Sequence, residues 1–331
     1  MYKILIIGFG SIGKRHFENI SSNFHAQLII FTKRKDLKKL EKQGVIVTNS
    51  LKVALLHKPD IAFVTNETSL HVKIATTLAK HGVHLFLEKP LSNSMSGVKK
   101  LKSIISTKKL ISQMGCNFRF HPCIMKIKKI LDKNDLGRVI SVQVESNSYL
   151  PDWHPYENYR FGYAARDDLG GGIALTCIHE LDFLYWFFGD VKEIFSITGK
   201  YSDLEVTSDD LSAMIMIFKN NIVGELHLDY FQRPDFKSCK IKGTKSTLYW
   251  NSTNNEIKLF SQKNKSWKSI YKLKNYDPNQ MYVDELKYFF KCIKNNKKTI
   301  NDIDDGIKTL KVVLSAKKSS ESGNLITINK K

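Results

Sequence analysis

Acidic residues are scarce. The 331-residue chain sets 32 aspartates and glutamates against 52 lysines and arginines, a formal charge of +20. Such a field suits nucleic acid, an anionic membrane or an acidic substrate. The lysines, however, are spread in pairs along the whole chain, from Lys38-Lys39 and Lys99-Lys100 to Lys128-Lys129, Lys297-Lys298 and Lys317-Lys318. No basic stripe interleaved with aromatics is present, so no nucleic-acid partner is expected. Cysteine is sparse as well. Cys116, Cys123, Cys177, Cys239 and Cys292 are scattered, with no Cys-x-x-Cys pair. That excludes a disulfide framework and argues against a zinc site, so reduced thiols, a cytoplasmic setting and no metal are expected. Long apolar runs are missing too. The longest is Phe183–Phe188, far below the roughly 18 residues of a membrane span, so no membrane partner is expected. The start, Met1-Tyr2-Lys3 and then Ile4–Ile7 and Gly8, reads as a buried first strand and not as a cleaved leader.

What is there suits a folded chain: 42% hydrophobic and 25% charged residues. The length predicts two domains. Over the first 116 residues, apolar runs (Lys3–Ile7, Gln27–Phe31, Val45–Val47, Asp60–Thr65, Val83–Leu87, Leu110–Cys116) alternate with amphipathic helical patterns. This predicts an α/β Rossmann domain with a parallel sheet over residues 1–118. From residue 119 to 331 the pattern predicts an α+β domain. A helix and the strand Val139–Asn147 are followed by a long aromatic loop, Ser148–Asp168, and an apolar helix Ile173–Phe188. Seven β-like runs then form a meander, hence a large, mostly antiparallel open sheet, before two closing helices that are free to pack back on the first domain.

Gly8-Phe9-Gly10-Ser11-Ile12-Gly13 has the G-x-G-x-x-G spacing. It follows an apolar strand and opens a helix, the context a dinucleotide site requires. The end of the second strand, Phe31-Thr32-Lys33-Arg34, carries no carboxylate until Asp36. A hydroxyl and two cations suit a 2′-phosphate, so NADP(H) is favoured over NAD(H). Further on, Phe86-Leu87-Glu88-Lys89-Pro90 ends a predicted parallel strand. Ligands bind beyond such ends, and a lysine there can hold a substrate oxygen.

Glu88-Lys89-Pro90, Asn117–Pro122, and Gly170-Gly171-Gly172 followed by His179-Glu180-Leu181-Asp182 come after the glycine loop in fixed order. In this the chain resembles the GFO/IDH/MocA oxidoreductase family over nearly its whole length. Its segment Leu150–Gly170 resembles a branch associated with bacterial surface sugars. The resemblance implies an NAD(P)-dependent sugar dehydrogenase or reductase, active as a homodimer or homotetramer through the C-terminal sheet. It makes Lys89 the catalytic lysine and His179 the acid/base histidine. Glu88 then braces the lysine, and Thr65, Asn66, His71 and Asn117 join the glycine loop in holding cofactor. Arg119, Thr176 and the loop residues Trp153, Tyr163 and Arg166 are candidates for substrate. The chemistry agrees: histidine shuttles a proton near neutral pH, and an ammonium stabilises alkoxide charge. One departure stands out. The resemblance implies a carboxylate three residues before His179, where this chain has Thr176. That keeps a non-catalytic cofactor-binding regulator as the alternative. It also leaves Asp182, on the same helix face, either to orient His179 or equally to cap or pack the helix.

Overall fold

Ile4, Leu5, Ile6 and Ile7 have no exposed surface, so the strand that carries them must be covered on both faces. The computed structural model, which describes residues 1–34, 36–262 and 265–328, places this strand, β1 (Tyr2–Ile7), inside a six-stranded parallel sheet. The other strands are β2 (Ala26–Phe31), β3 (Ile46–Thr48), β4 (Ile61–Val64), β5 (His84–Glu88) and β6 (Ser112–Gly115). Helices α1 (Ser11–Asn23), α2 (Lys38–Glu41), α3 (Leu51–Leu56), α4 (His71–Lys80) and α5 (Val98–Thr107) connect them. The order β3-β2-β1-β4-β5-β6 reverses direction between β1 and β4. A ligand is expected beyond the strand ends at such a reversal.

The chain divides into two compact units. The first joins Met1–Asn117 with Pro278–Ile307, the second Phe118–Asp277 with Lys308–Lys331. Residues 278–307 thus fall with the first unit, although the sequence reading places its domain boundary at 118/119. The physical reason is the apolar face of the helix Gln280–Lys294. Its Leu286, Phe289 and Phe290 share one core with Ile4, Ile6, Ile20, Phe63 and Phe86, and Phe63 and Phe86 stack at 4.8 Å. Burying each such side chain stabilises by about 1.5–3 kcal/mol.

The second unit contains α6 (Pro122–Asp132), β7 (Val139–Asn147), α7 (Ile173–Thr176), α8 (His179–Phe188) and a nine-stranded sheet. Its further strands are β8 (Val191–Gly199), β9 (Leu211–Phe218), β10 (Val223–Asp229), β11 (Phe236–Gly243), β12 (Thr247–Asn251), β13 (Glu256–Ser261), β14 (Ser266–Lys272) and β15 (Ile326–Thr327). The meander expectation holds from β11 to β14 and fails at the centre. There β7 lies between β11 and β10 and runs parallel to β10. Alternate residues of these strands point to a buried face, among them Val142, Val144, Met214, Met216, Leu226, Leu228, Cys239 and Ile241.

The helix expected over Ile173–Phe188 is broken. Cys177 leaves helical backbone at ψ 38°, and a new helix begins at His179. Both Cys177 and Ile178 are apolar, so nothing in the local pattern marks the break.

Candidate active site

At the glycine loop, Gly8 adopts φ +90° and a Cβ there would lie 2.9 Å from the Asn66 backbone. A Cβ on Gly13 would meet the Gly8 carbonyl at 2.4 Å and Thr65 Oγ1 at 2.8 Å, so helix and loop pack as only glycine permits. A Cβ on Gly10 would meet nothing within 4 Å. The backbone there faces open space of the kind a pyrophosphate needs. Helix α1 starts behind it with Gly10 as a cap that makes no side-chain hydrogen bond and with no acid in the first turn. Its N–H groups are thereby left to an anion. Phe9 packs edge-on against Phe17, while Ser11 is exposed and Ile12 half-buried. Thr65 Oγ1 donates to the Ile7 and Gly8 carbonyls at 2.9 and 3.0 Å and so braces the loop.

Two amide side chains test the fit of a dinucleotide. Asn66, just past β4, and Asn117, just past β6, each carry a buried Oδ1 with no hydrogen-bond partner. Buried oxygens of this kind are normally satisfied, so both point to a bound polar group. These residues fit a nicotinamide dinucleotide.

Thr32 is buried at the end of β2, and its Oγ1 accepts from the Arg34 N–H. The Arg34 guanidinium reaches back to the Phe9 carbonyl at 3.4 Å and forks onto Asp36 at 2.7 and 3.0 Å. The Arg34 hydrogen bonds hold the Asp36 carboxyl below its usual range. Lys33 is exposed.

At the end of β5, Lys89 is half-buried and the Lys89–Pro90 peptide is cis. Glu88 is buried. His71, expected among the groups that touch cofactor, is 1% exposed, with Nδ1 2.9 Å from the Pro90 carbonyl and Nε2 2.8 Å from the Asn66 carbonyl. Burial lowers its pKa, while the two carbonyls act in the opposite direction. Its place is therefore that of a brace between two loops of the first unit.

In the second unit, His179 opens α8 half-buried, its ring 5.4 Å from that of Phe118. Arg119, read as a substrate residue, is 1% exposed and forks onto Asp182 through Nε and Nη2, both at 2.7 Å. Asp182, for which the sequence leaves open orienting His179 or packing the helix, is the other half of that buried pair. Thr176 is buried on α7, and the neighbouring acid Glu180 is held by Lys237 at 2.7 Å. Lys237 also bonds Ser146 and stands 5.1 Å from the centre of the Phe118 ring. Lys237 and Glu180 were not singled out in the sequence; a buried acid beside the candidate histidine was the available signal. His121 caps α6, its Nδ1 accepting from the Cys123 N–H at 3.2 Å, and burial pushes its pKa down to about 4.

The loop 151–168 folds as four short 3₁₀ turns. Trp153 donates to Ser148 at 2.8 Å and sets its ring edge-on to Tyr230 at 5.3 Å. Tyr163 is half-buried. Arg166 forks onto Asp168, and Arg160 onto Glu205. Both guanidinium groups thus already face a carboxylate.

Comparison with known proteins agrees with this layout. Residues 2–116 match the model of an oxidoreductase family with an NAD-binding Rossmann fold, and residues 124–249 match the GFO/IDH/MocA C-terminal domain. The chain is 27% identical to a myo-inositol 2-dehydrogenase of Thermotoga maritima over 337 residues, covering 96% of each. It is 22% identical to an NAD(+)-dependent scyllo-inositol 2-dehydrogenase of Bacillus subtilis, over 98% of this chain and 96% of that one. A levoglucosan dehydrogenase solved with NADH superposes over the full length of both chains with a TM-score of 0.89 at 16% identity.

Proposed function

We propose a specific reaction for this chain, which belongs to the GFO/IDH/MocA family of NAD-binding oxidoreductases: hydride exchange between nicotinamide C4 and a carbinol or carbonyl carbon of a sugar or sugar derivative. The carrying observation is the set of unanswered groups beyond β1, β4 and β6: open space at Gly10 and the orphan oxygens of Asn66 and Asn117. The nicotinamide, when bound, accepts or delivers the hydride. Residues Gly8–Gly13 with the start of α1 hold its phosphates, Thr65 and Glu88 keep the loops in place, and Asn66 and Asn117 bond its polar edges. The Lys89 ammonium steadies alkoxide charge as the carbon is oxidised. His179 takes the hydroxyl proton, or returns it in the reducing direction. No relay through an α7–α8 carboxylate enters this reading, because position 176 is threonine, Asp182 is tied to Arg119 and Glu180 to Lys237. The related inositol and levoglucosan dehydrogenases support a polyol or sugar substrate. Trp153, Tyr163, Arg166 and Thr176 are assigned to substrate selection. The charge of +20 supports an anionic member of that class, such as a nucleotide-linked sugar used for surface polysaccharide. Such a ligand must compete with Asp168 for Arg166.

NADP(H) is the proposed coenzyme. Thr32, Lys33 and Arg34 stand where a 2′-hydroxyl would want a carboxylate, and Arg34 already reaches the glycine loop. Titration calorimetry is expected to give NADPH binding about tenfold tighter than NADH, a gap that Arg34→Ala closes. Equal affinities in the parent protein would refute the preference. The substrate class is tested by the nicotinamide absorbance change with myo-inositol, levoglucosan and UDP-sugars. Silence with all of them under both coenzymes would count against it.

Subunits are proposed to pair through the open face of the large sheet, as a dimer or tetramer. Ile197, Ile215 and Trp267 are each about half exposed there, at 49%, 52% and 46%. Light scattering that returned a monomer mass would remove this proposal. The scatter of five cysteines with no Cys-x-x-Cys pair supports a reducing, cytoplasmic setting, and targeting of a tagged chain would check it. Among the described residues no helix is long and apolar enough to cross a membrane.

A further inference from the structure

We infer that His16 is a positioning residue for Lys89, acting through Glu88; this rests on the reading of Lys89 as the residue that meets the substrate oxygen. His16 lies three residues beyond the glycine loop, on α1, and has no exposed surface. Its Nε2 is 2.7 Å from Glu88 Oε1. The other carboxylate oxygen, Oε2, accepts the backbone N–H of Lys89 at 3.2 Å. One carboxylate therefore bonds on one side to the helix that opens at the phosphate loop and on the other to the turn that carries the lysine.

The surroundings hold this arrangement in place. The imidazole packs against Phe63 at 5.2 Å, Phe86 at 4.9 Å and Tyr282 at 6.4 Å. A Cβ on Gly115 would lie 2.8–3.0 Å from the Glu88 carboxyl group, so the bare glycine of β6 leaves the carboxylate its room. An ionised carboxylate only accepts hydrogen bonds, so the proton sits on Nε2. Nδ1 is buried with no partner. A proton there would be an unsatisfied buried donor, so the Nε2–H tautomer is the one that fits. An aliphatic side chain would fill the aromatic pocket as well as imidazole does. It would not fix Glu88, and the Lys89 turn would lose one of its anchors. A displacement of about 1 Å at a reacting group can cost a hundredfold in rate.

The test compares His16→Ala, His16→Gln and Lys89→Ala with the parent, using myo-inositol and levoglucosan as probes. Glutamine places an amide donor near the position of Nε2. His16→Ala is expected to lower kcat at least tenfold, with KM and the dinucleotide Kd within threefold of the parent. His16→Gln is expected to recover kcat to within threefold. A His16→Ala enzyme with parental kcat, beside an inactive Lys89→Ala, would overturn this inference alone. A Lys89→Ala enzyme that turns over within tenfold of the parent would instead overturn the reading of Lys89, and the inference with it. Imidazole-tuned ¹H–¹⁵N spectra, which need no substrate, are expected to show the Nε2–H tautomer at His16. The Lys89 amide proton is expected to move upfield in His16→Ala and to return in His16→Gln. An Nδ1–H tautomer, or an amide shift indifferent to His16, overturns the inference whether or not a probe reacts. If His16→Ala does not fold, the tautomer and the His16→Gln kinetics decide.

Discussion

Replacing Lys89 with alanine is expected to lower hydride transfer by roughly a thousandfold while dinucleotide affinity stays within a few-fold of the parent. Losing a preorganised donor to a developing oxyanion slows a reaction by about 10²–10³. The dinucleotide keeps the glycine loop, the start of α1 and the asparagine oxygens, none of which depends on the lysine side chain. Lys89→Arg is the informative companion. It retains positive charge in a different shape, so it should recover part of the rate. His179→Asn is expected to fall by about 10²–10⁴, with the remaining activity rising with pH as hydroxide replaces the missing base. Stopped-flow nicotinamide absorbance and fluorescence titration of the coenzyme read the two effects separately. Lys89→Ala turnover within tenfold of the parent would remove the lysine from the chemistry.

The largest stability effect is expected at Arg119. Its guanidinium and the Asp182 carboxylate are 1% and 2% exposed and joined by two bonds of 2.7 Å. Substituting one partner leaves a full charge buried without its counter-charge, a loss of about 3–5 kcal/mol. Arg119→Met is therefore expected to unfold the second unit at far lower urea than the parent. The double variant Arg119→Met/Asp182→Leu removes both charges and should recover most of the loss, since a paired buried charge contributes little net stability by itself. Urea midpoints followed by tryptophan fluorescence decide the matter: all four tryptophans lie between residues 118 and 277, within the second unit. A single variant within about 1 kcal/mol of the parent would show that the pair is not what anchors α8.

The first unit was almost fully legible in the sequence. Four adjacent apolar residues in β1, glycines at fixed spacing and a clear helix period state the local structure directly, and the strand boundaries differ by only a residue or two. The second unit was legible element by element and opaque in arrangement. Nothing in Val139–Asn147 says that it will lie between two strands made much later, one of them parallel to it. The break at Cys177–Ile178 was invisible for the same reason: both residues tolerate a helix, and tertiary packing ends it. At the site, glycines, the Glu88-Lys89-Pro90 turn and His179 announce themselves by type and spacing. For Arg119 and His71, a side chain's identity does not reveal its partner. In the fold their polar atoms face Asp182 and two backbone carbonyls. His16 gave a fainter sign, a polar residue on the same helical stripe as the buried Ile20.

The central place of β7 also bears on the chain's birth. Gln143 bonds Glu225, 82 residues further on, and Glu145 bonds Ser238 at a distance of 93. As the polypeptide emerges from the ribosome at about 5–20 residues per second, β7 is exposed for several seconds before either neighbour exists. Through that interval its polar edges and its apolar Val142 and Val144 have no native cover, which makes nascent chains of this length a natural client for a holding chaperone.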